Sequence, residues 1–235
     1  MEQLRISGKN LGELALPDFC PRCFWIKQRC KRLPFQIFPG IFSSIDSYSK
    51  KITNFHFVRN SEVPSWFAEF GDLGEPVKVP HHTKFKVLDE ETGVLLTGAP
   101  DEVFYRPDRS YFIADYKTAR FTGHQDSLMP IYVVQLNAYA YIAERCGMGP
   151  VSGLGLVYYE PNTDVTLSTI DSVVMDHGFS MSFSGKLLPI DLDTAMVPPL
   201  LRRVREIAGM PEAPEGAQGC RDCEAIGELI RVVEG

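Results

Sequence analysis

Residues 98–118 read GAPDEVFYRPDRSYFIADYKT and contain two short β-strand patterns separated by a turn. Asp101 stands at the start of the first strand, and Asp115 and Lys117 stand at the end of the second. Residues two apart in a strand face the same side of a sheet, so Asp115 and Lys117 point together and Tyr116 points to the opposite side. The turn places Asp101 beside them. The sequence therefore predicts two carboxylates and one ammonium at a single site.

This combination of side chains suits the hydrolysis of phosphodiester bonds. Carboxylate oxygens bind Mg²⁺ or Mn²⁺, and a metal ion bound to them polarises a phosphate and lowers the pKa of a water molecule. Lys117 would position that water, stabilise the transition state or transfer a proton. An isolated Asp-x-Lys is more often a surface salt bridge. Here the apolar residues 111–114, directly before Asp115, indicate a buried strand that ends at a cleft.

The sequence around this hairpin alternates between extended and helical patterns. Short β-rich runs at residues 84–88 and 94–98, together with the two strands of the hairpin, predict an antiparallel meander. Apolar periodicity predicts helices at residues 129–146 and 192–208, with a compact apolar strand at 153–160 between them. This order of elements predicts an α/β or α+β fold in which helices flank a central mixed β-sheet.

The chain is predicted to form one domain over residues 1–235. Its N-terminal helical part, residues 14–60, carries a first Cys-x-x-Cys motif, and residues 82–185 form the sheet and helix of the candidate site. Residues 190–235 contribute a C-terminal helix, a linker and a second Cys-x-x-Cys motif.

Composition excludes some functions. The 235 residues are 44% hydrophobic and 23% charged, which is typical of a folded protein. With 24 Lys and Arg against 30 Asp and Glu, the net charge of −6 excludes a strongly basic DNA-coating protein, whereas a nuclease needs positive charge only along its substrate path. No secretory pattern and no run of about 18 apolar residues occurs, so we expect a cytoplasmic protein without a membrane span. Six cysteines in a reducing compartment favour metal ligands or core residues over disulfides.

Three short motifs resemble those of a known family. GAPD at residues 98–101 and DYK at residues 115–117, followed by Thr118, resemble the signature of the PD-(D/E)xK nuclease superfamily. Gln135 and Tyr139 are spaced like the Q-x-x-x-Y motif of its RecB-type branch. Their i, i+4 spacing places the amide and the phenol on one face of a helix. The resemblance implies a restriction-endonuclease-like core.

The resemblance also implies roles for these residues. Asp101, Asp115 and the backbone carbonyl of Tyr116 would hold Mg²⁺ or Mn²⁺, Lys117 would act on the attacking water, and the Q-x-x-x-Y pair would contact the active site or DNA. The implied activity is metal-dependent cleavage of DNA, with an exonuclease favoured over an endonuclease. The implied setting is DNA repair, recombination or the processing of phage or mobile-element DNA, with a helicase or another repair protein as a partner.

The chain departs from the RecB-type pattern in its N-terminal helical part. Enzymes of that branch usually carry a histidine there as an extra metal ligand. The matching region, residues 39–51, reads PGIFSSIDSYSKK and has Asp46 instead. Asp46 is either a metal ligand, since carboxylates suit Mg²⁺ and Mn²⁺, or an aspartate on the helix surface. His56, His81 and His82 are further candidates.

Four cysteines form two Cys-x-x-Cys pairs, Cys20 with Cys23 and Cys220 with Cys223. Four thiolates can close a tetrahedral Zn²⁺ site or hold a [4Fe–4S] cluster, and these would join the two ends of the chain. CPRCFWI is similar to the CPRRFY-type start of CRISPR-associated and helicase–nuclease proteins with iron–sulfur clusters, in which one N-terminal cysteine joins three C-terminal ones. The two-and-two pattern differs from theirs. The resemblance favours a cluster, zinc is the alternative, and free thiols remain a third interpretation.

A basic run follows the first cysteine pair. Lys27, Arg29, Lys31 and Arg32 are candidate contacts for DNA phosphates, or else form a solvated helix face. Three other functions stay open beside the nuclease. They are a nucleic-acid-binding protein with an inactive nuclease fold, an interaction protein stabilised by zinc or a cluster, and an iron–sulfur redox protein.

Overall fold

The computed structural model describes residues 3–30, 39–81, 83–123 and 126–234. The strands are β1 (Arg5–Ser7), β2 (Lys86–Asp89), β3 (Val94–Thr97), β4 (Glu102–Tyr105), β5 (Tyr111–Lys117), β6 (Val151–Pro161), β7 (Val174–Met175), β8 (Gly178–Phe179) and β9 (Phe183–Ile190). The α-helices are α1 (Gly8–Gly12), α2 (Pro21–Arg29), α3 (Gly40–Asn60), α4 (Met129–Arg145), α5 (Val197–Gly209) and α6 (Arg221–Glu234).

The central sheet has four strands in the order β4-β5-β6-β9. β4 is antiparallel to β5, β5 is parallel to β6, and β6 is antiparallel to β9. A parallel pair requires a crossover connection, and α4 supplies it between β5 and β6. This confirms the predicted α/β architecture with a mixed central sheet flanked by helices.

A second sheet has the order β1-β3-β2, with β1 parallel and β2 antiparallel to β3. The predicted four-stranded meander is therefore wrong, because β3 and β4 belong to different sheets. The segment between them starts at Gly98, which packs directly on the ring of Tyr139. A Cβ atom at Gly98 would lie 2.6 Å from two atoms of that ring. The chain turns against α4 at this point instead of forming a hairpin.

Helix α4 is the centre of the main hydrophobic core. It packs against strands of both sheets, and twelve of its 17 residues are buried. Ile113 of β5 faces this core, whereas Phe112 and Tyr116 face a second cluster on the other side of the central sheet. Because side chains alternate along a strand, Asp115 lies on the α4 side.

The second cluster is covered by α3 and by a 3₁₀ helix, Ser65–Phe70. Phe67 and Phe70 pack on the sheet there, and the Tyr116 hydroxyl donates to Thr53 Oγ1 of α3 at 3.2 Å. These contacts hold α3 against the edge where β4 and β5 carry the candidate site.

The part of the chain that the structure describes contains no helix with both the length and the apolar composition of a membrane span.

Candidate active site and four-cysteine site

The β4–β5 hairpin brings the two predicted carboxylates together. Glu102 pairs with Ala114 in the strand register, so Asp101 lies directly beside Asp115. The backbone N–H of Tyr116 donates to Asp101 Oδ2 at 2.7 Å and fixes the direction of that carboxylate.

Lys117 forms an ion pair with Asp115 Oδ2. Its Nζ also lies 3.4 Å from Gln135 Oε1 and 4.2 Å from the centre of the Tyr132 ring, so an amide oxygen and an aromatic face flank the ammonium. The side chain is only 15% exposed. The ammonium is therefore held next to Asp115 within a narrow range of positions.

Helix α4 contacts Asp115 of β5 through Gln135, which also contacts Tyr139 one helical turn later. Gln135 Nε2 donates to Asp115 Oδ1 at 3.3 Å and to the Tyr139 hydroxyl at 2.7 Å. Tyr139 in turn hydrogen-bonds the backbone of Ala99 and packs on Gly98. Both side chains are buried. They connect the turn before Asp101 with Asp115, and a contact of this pair with DNA stays a prediction.

The environment of Asp115 fits a divalent cation. Burial and, after it, the neighbouring Asp101 charge raise the pKa of Asp115 to about 7, and Lys117 offsets them only in part. Asp115 Oδ2 is buried and, apart from the Lys117 ion pair, has no hydrogen-bond partner among the described residues. Two adjacent carboxylates, one of them with a buried oxygen that lacks a hydrogen-bond donor, are an oxygen donor set that suits Mg²⁺ or Mn²⁺.

Helix α3 adds a residue that the sequence analysis missed, Lys50. Its Nζ lies 2.7 Å from Asp101 Oδ1 and 2.9 Å from Asp46 Oδ2. Burial would lower the pKa of Lys50, but the carboxylates of Asp101 and Asp46 outweigh it and raise the pKa above its ordinary value. No hydrogen bond or ion pair joins Asp46 to Asp101 or Asp115 in the described part of the chain. The i, i+4 spacing of Asp46 and Lys50 was the sequence signal for this pair.

Of the three candidate histidines, the structure describes His56 and His81, and no hydrogen bond or ion pair given for either of them involves Asp101 or Asp115. His81 Nδ1 pairs with the Thr83 hydroxyl at 3.0 Å, His56 lines a groove on the outer side of α3, and His82 lies outside the described residues.

A second buried carboxylate, Glu102, was also missed. It faces the opposite side of the sheet from Asp101, where Asn54 Nδ2 donates to its Oε2 at 3.1 Å. Burial raises the pKa of Glu102 to about 7, although the Asn54 hydrogen bond and the Lys50 charge lower it.

Replacement of Glu102 by glutamine is expected to stabilise the metal-free protein at alkaline pH only. The folded state binds the Glu102 proton more tightly than the unfolded state, so the wild-type free energy of unfolding falls as pH rises from 4.5 to about 7. That loss in the free energy of unfolding amounts to about 3 kcal/mol. Each kcal/mol shifts the melting temperature of a protein of this size by about 2–4 °C, so the variant should melt about 6 °C or more above wild type at pH 8. Thermal denaturation in EDTA at pH 5 and pH 8 measures the difference, and an equal shift at both values would contradict the burial argument.

The four cysteines of the two Cys-x-x-Cys motifs lie together. Their Sγ atoms are all within 4.8 Å of one another, and the group is the one candidate metal cluster of three or more His, Cys, Asp or Glu ligands among the described residues. The closest pairs are Cys23–Cys223 at 3.4 Å, Cys20–Cys223 at 3.5 Å and Cys23–Cys220 at 3.6 Å. This confirms the predicted clasp between the N-terminal and C-terminal parts of the chain.

The thiols of this cluster differ in how readily they lose a proton. Burial alone would raise the pKa of Cys20, but hydrogen bonds from the backbone N–H groups of Cys23 and Ala217 lower it to about 6. Burial raises the pKa of Cys223 to about 11 and that of Cys23 further. Without a metal, Cys20 therefore ionises more readily than Cys23 and Cys223, and hydrogen bonds from Cys220 and Cys223 stabilise its thiolate. A bound cation would deprotonate all four.

Two of the four candidate DNA-contact residues of the basic run, Lys27 and Arg29, take part in contacts within the chain. Lys27 pairs with Glu13 at 3.0 Å. Arg29 Nη2 donates to the backbone carbonyls of Ala208 and Met210 and stacks on Trp25. Lys31 and Arg32 lie outside the described residues. DNA binding by this run stays a prediction.

Comparison with known proteins adds one family match. A family model described as the PD-(D/E)XK nuclease superfamily matches residues 49–227. This range contains the β4–β5 hairpin, α4, Cys220 and Cys223, while Cys20 and Cys23 precede it. A search of curated proteins found no match.

Among solved structures that match, one titled "Crystal structure of SSO0001" covers 91% of this chain and 80% of its own, with 13% identity and a TM-score of 0.36. At that TM-score the likeness carries no argument about fold or function.

Proposed function

The chain belongs to the PD-(D/E)XK nuclease superfamily, and from this we propose that it is a Mg²⁺- or Mn²⁺-dependent deoxyribonuclease that hydrolyses phosphodiester bonds. The observation that supports this most is the convergence of Asp101, Asp115 and Lys117 at one end of the central sheet. An exonuclease that works in DNA repair, recombination or phage-type DNA processing is the form of the proposal that the motifs favour.

Each residue has a role in this proposal. Asp101, Asp115 and the backbone carbonyl of Tyr116 would hold the metal, which neutralises charge on the phosphate and lowers the pKa of a bound water. Lys117 holds a proton beside Asp115 and orients the attacking water or stabilises the developing negative charge. Gln135 and Tyr139 are positioning residues, since they keep Asp115 and the turn at Gly98 in place.

A catalytically inactive nucleic-acid-binding protein is the second candidate. One observation favours it: Lys50 places an ammonium on Asp101, where an active enzyme needs a metal ion. The two candidate functions differ in whether bound DNA is cleaved. The inactive protein would bind DNA and leave it uncleaved with Mn²⁺, Mg²⁺ or EDTA.

For the four-cysteine site we propose a structural Zn²⁺. A Zn–S bond of about 2.3 Å in a tetrahedron separates the sulfur atoms by about 3.8 Å, close to the 3.4–3.6 Å of the three nearest pairs. In a [4Fe–4S] cluster each thiolate binds a different iron atom, so the sulfurs lie farther apart than the ligands of one ion. The distances thus favour zinc, whereas the sequence resemblance favoured the cluster. Metal analysis and the absorption spectrum of anaerobically purified protein decide between one zinc and about four irons per chain.

The test of the nuclease is cleavage of end-labelled single-stranded and double-stranded DNA with Mn²⁺, Mg²⁺ or EDTA. Cleavage should require metal, and Asp115→Asn should reduce it by at least about a thousandfold because it removes a metal ligand. Asp176→Asn, on the exposed β7–β8 hairpin, is the matched control and should cleave like wild type. Intact, metal-loaded protein that binds DNA without cleaving it would support the second candidate instead.

A further inference from the structure

The two oxygens of Asp101 have different partners. Oδ2 accepts the backbone N–H of Tyr116 at 2.7 Å, which ties it to β5. Oδ1 contacts Lys50 Nζ at 2.7 Å. The oxygen left to bind a metal ion is therefore the one that Lys50 occupies. A lysine in this position competes with any divalent cation for Asp101, both by occupying Oδ1 and by repelling a second positive charge.

Lys50 also contacts a second carboxylate, that of Asp46, which is not one of the two proposed metal ligands Asp101 and Asp115. Asp46 Oδ2 lies 2.9 Å from the same Nζ, one helical turn earlier on α3. Because the two residues share a helix face, Lys50 keeps this ion pair without any movement of the backbone. An ammonium that leaves Asp101 is thus not left without a partner.

We propose that Lys50 is a built-in counter-ion of the carboxylate site, which pairs with Asp101 while no divalent cation is bound and is retained by Asp46 once a cation displaces it. Asp46 is then a positioning residue that acts through Lys50, and not a metal ligand in place of the usual histidine. The inference rests on the proposed function, since it requires a cation at Asp101 and Asp115.

The affinity for Mn²⁺ tests this, measured by calorimetry at one pH for wild type, Lys50→Met, Asp46→Asn and the double variant. Removal of the competing ammonium should tighten Mn²⁺ binding by about fivefold or more, given an ion pair near the surface. Asp46→Asn alone should weaken Mn²⁺ binding, because Lys50 then has only Asp101. In the Lys50→Met background the same change should alter affinity by less than about twofold, because the two effects are coupled.

A matched control is Lys51→Met, which removes the same charge from the next position of α3, where the side chain is exposed. It should leave Mn²⁺ affinity within about twofold of wild type. A second readout is the melting temperature in EDTA. Lys50→Met should lower it, because Asp101 then lacks its ion pair and lies beside the Asp115 carboxylate with Lys117 as the remaining ammonium. Saturating Mn²⁺ should restore it.

Opposite results would overturn the inference. Unchanged or weaker Mn²⁺ binding by Lys50→Met would show that Lys50 does not compete with the cation. A tenfold loss on adding Asp46→Asn to Lys50→Met would make Asp46 a ligand. If Lys50→Met does not fold, Lys50→Gln replaces it. If wild type binds Mn²⁺ and cleaves DNA but the Lys50 and Asp46 variants give these opposite results, the nuclease proposal stands and the counter-ion proposal is wrong. If folded wild type binds no Mn²⁺, both proposals are wrong.

Discussion

Replacement of Lys117 by alanine is expected to reduce the rate of DNA cleavage by at least about a hundredfold while the protein stays folded. Lys117 provides the ammonium paired with Asp115, and a single group that stabilises transition-state charge or transfers a proton typically contributes about 10²–10⁴-fold. The loss should appear in kcat at saturating Mn²⁺, because the metal ligands remain. Single-turnover cleavage measures it, and circular dichroism checks the fold.

The matched control is Lys186→Ala on the edge strand β9, which removes an exposed lysine from the same sheet. It should cleave at the wild-type rate, so that a general loss of positive charge is separated from the loss at the site. Lys117→Arg should not restore activity, because the larger planar guanidinium does not fit between Asp115, Gln135 and the Tyr132 ring. Cleavage by pure Lys117→Ala at more than a tenth of the wild-type rate would contradict the proposed mechanism.

Loss of the four-cysteine site is expected to release helix α6. None of the 14 residues of α6 is buried, and the helix contacts α2 at the cysteine cluster. The helix therefore depends on the cluster for its attachment. Cys20→Ser should lower the free energy of unfolding by about 3 kcal/mol or more, which is about 6–12 °C in melting temperature, since a site loses one of its four ligands. Amides of residues 221–234 should exchange with solvent much faster than in wild type.

Cys30→Ser is the matched control for this prediction, because Cys30 is exposed and lies outside the cluster. It should retain the metal content, the melting temperature and the slow exchange of α6. Metal analysis of both variants separates the loss of the ion from a general effect of replacing a thiol. Equal stability of Cys20→Ser and Cys30→Ser would mean that the cluster does not hold the chain ends together.

Parts of the candidate site followed from spacing alone. Asp115 and Lys117 were expected on one face of a strand, Asp101 beside them, and Gln135 and Tyr139 on one face of the next helix. The structure brings these five residues together. Their chemical roles stay predictions. The distances show only that the residues lie close together, and their functions have to be tested by the cleavage experiments proposed above.

Lys50 and Glu102 could not be predicted in the same way. Lys50 reaches the site only because α3 packs across the end of the β4–β5 hairpin, about 50 residues later in the chain. Glu102 has a raised pKa because the fold buries it, and the hydrogen bonds from Asn54 and Tyr116 only partly offset that burial. A lysine in a helix and a glutamate after an aspartate are ordinary in sequence, since their partners lie on other elements.

Local backbone geometry was sufficient to predict which residues share a face. The period of two in a strand and the i, i+4 spacing in a helix hold wherever those elements pack. The tertiary structure decided what depends on buried surfaces far apart in the chain. It placed β3 and β4 in different sheets, seated Lys50 on Asp101 and closed four sulfurs from both chain ends into one site. These three features depend on which apolar faces of distant elements pack against each other. A pattern of a few neighbouring residues does not specify that packing, because the hydrophobic effect is not directional.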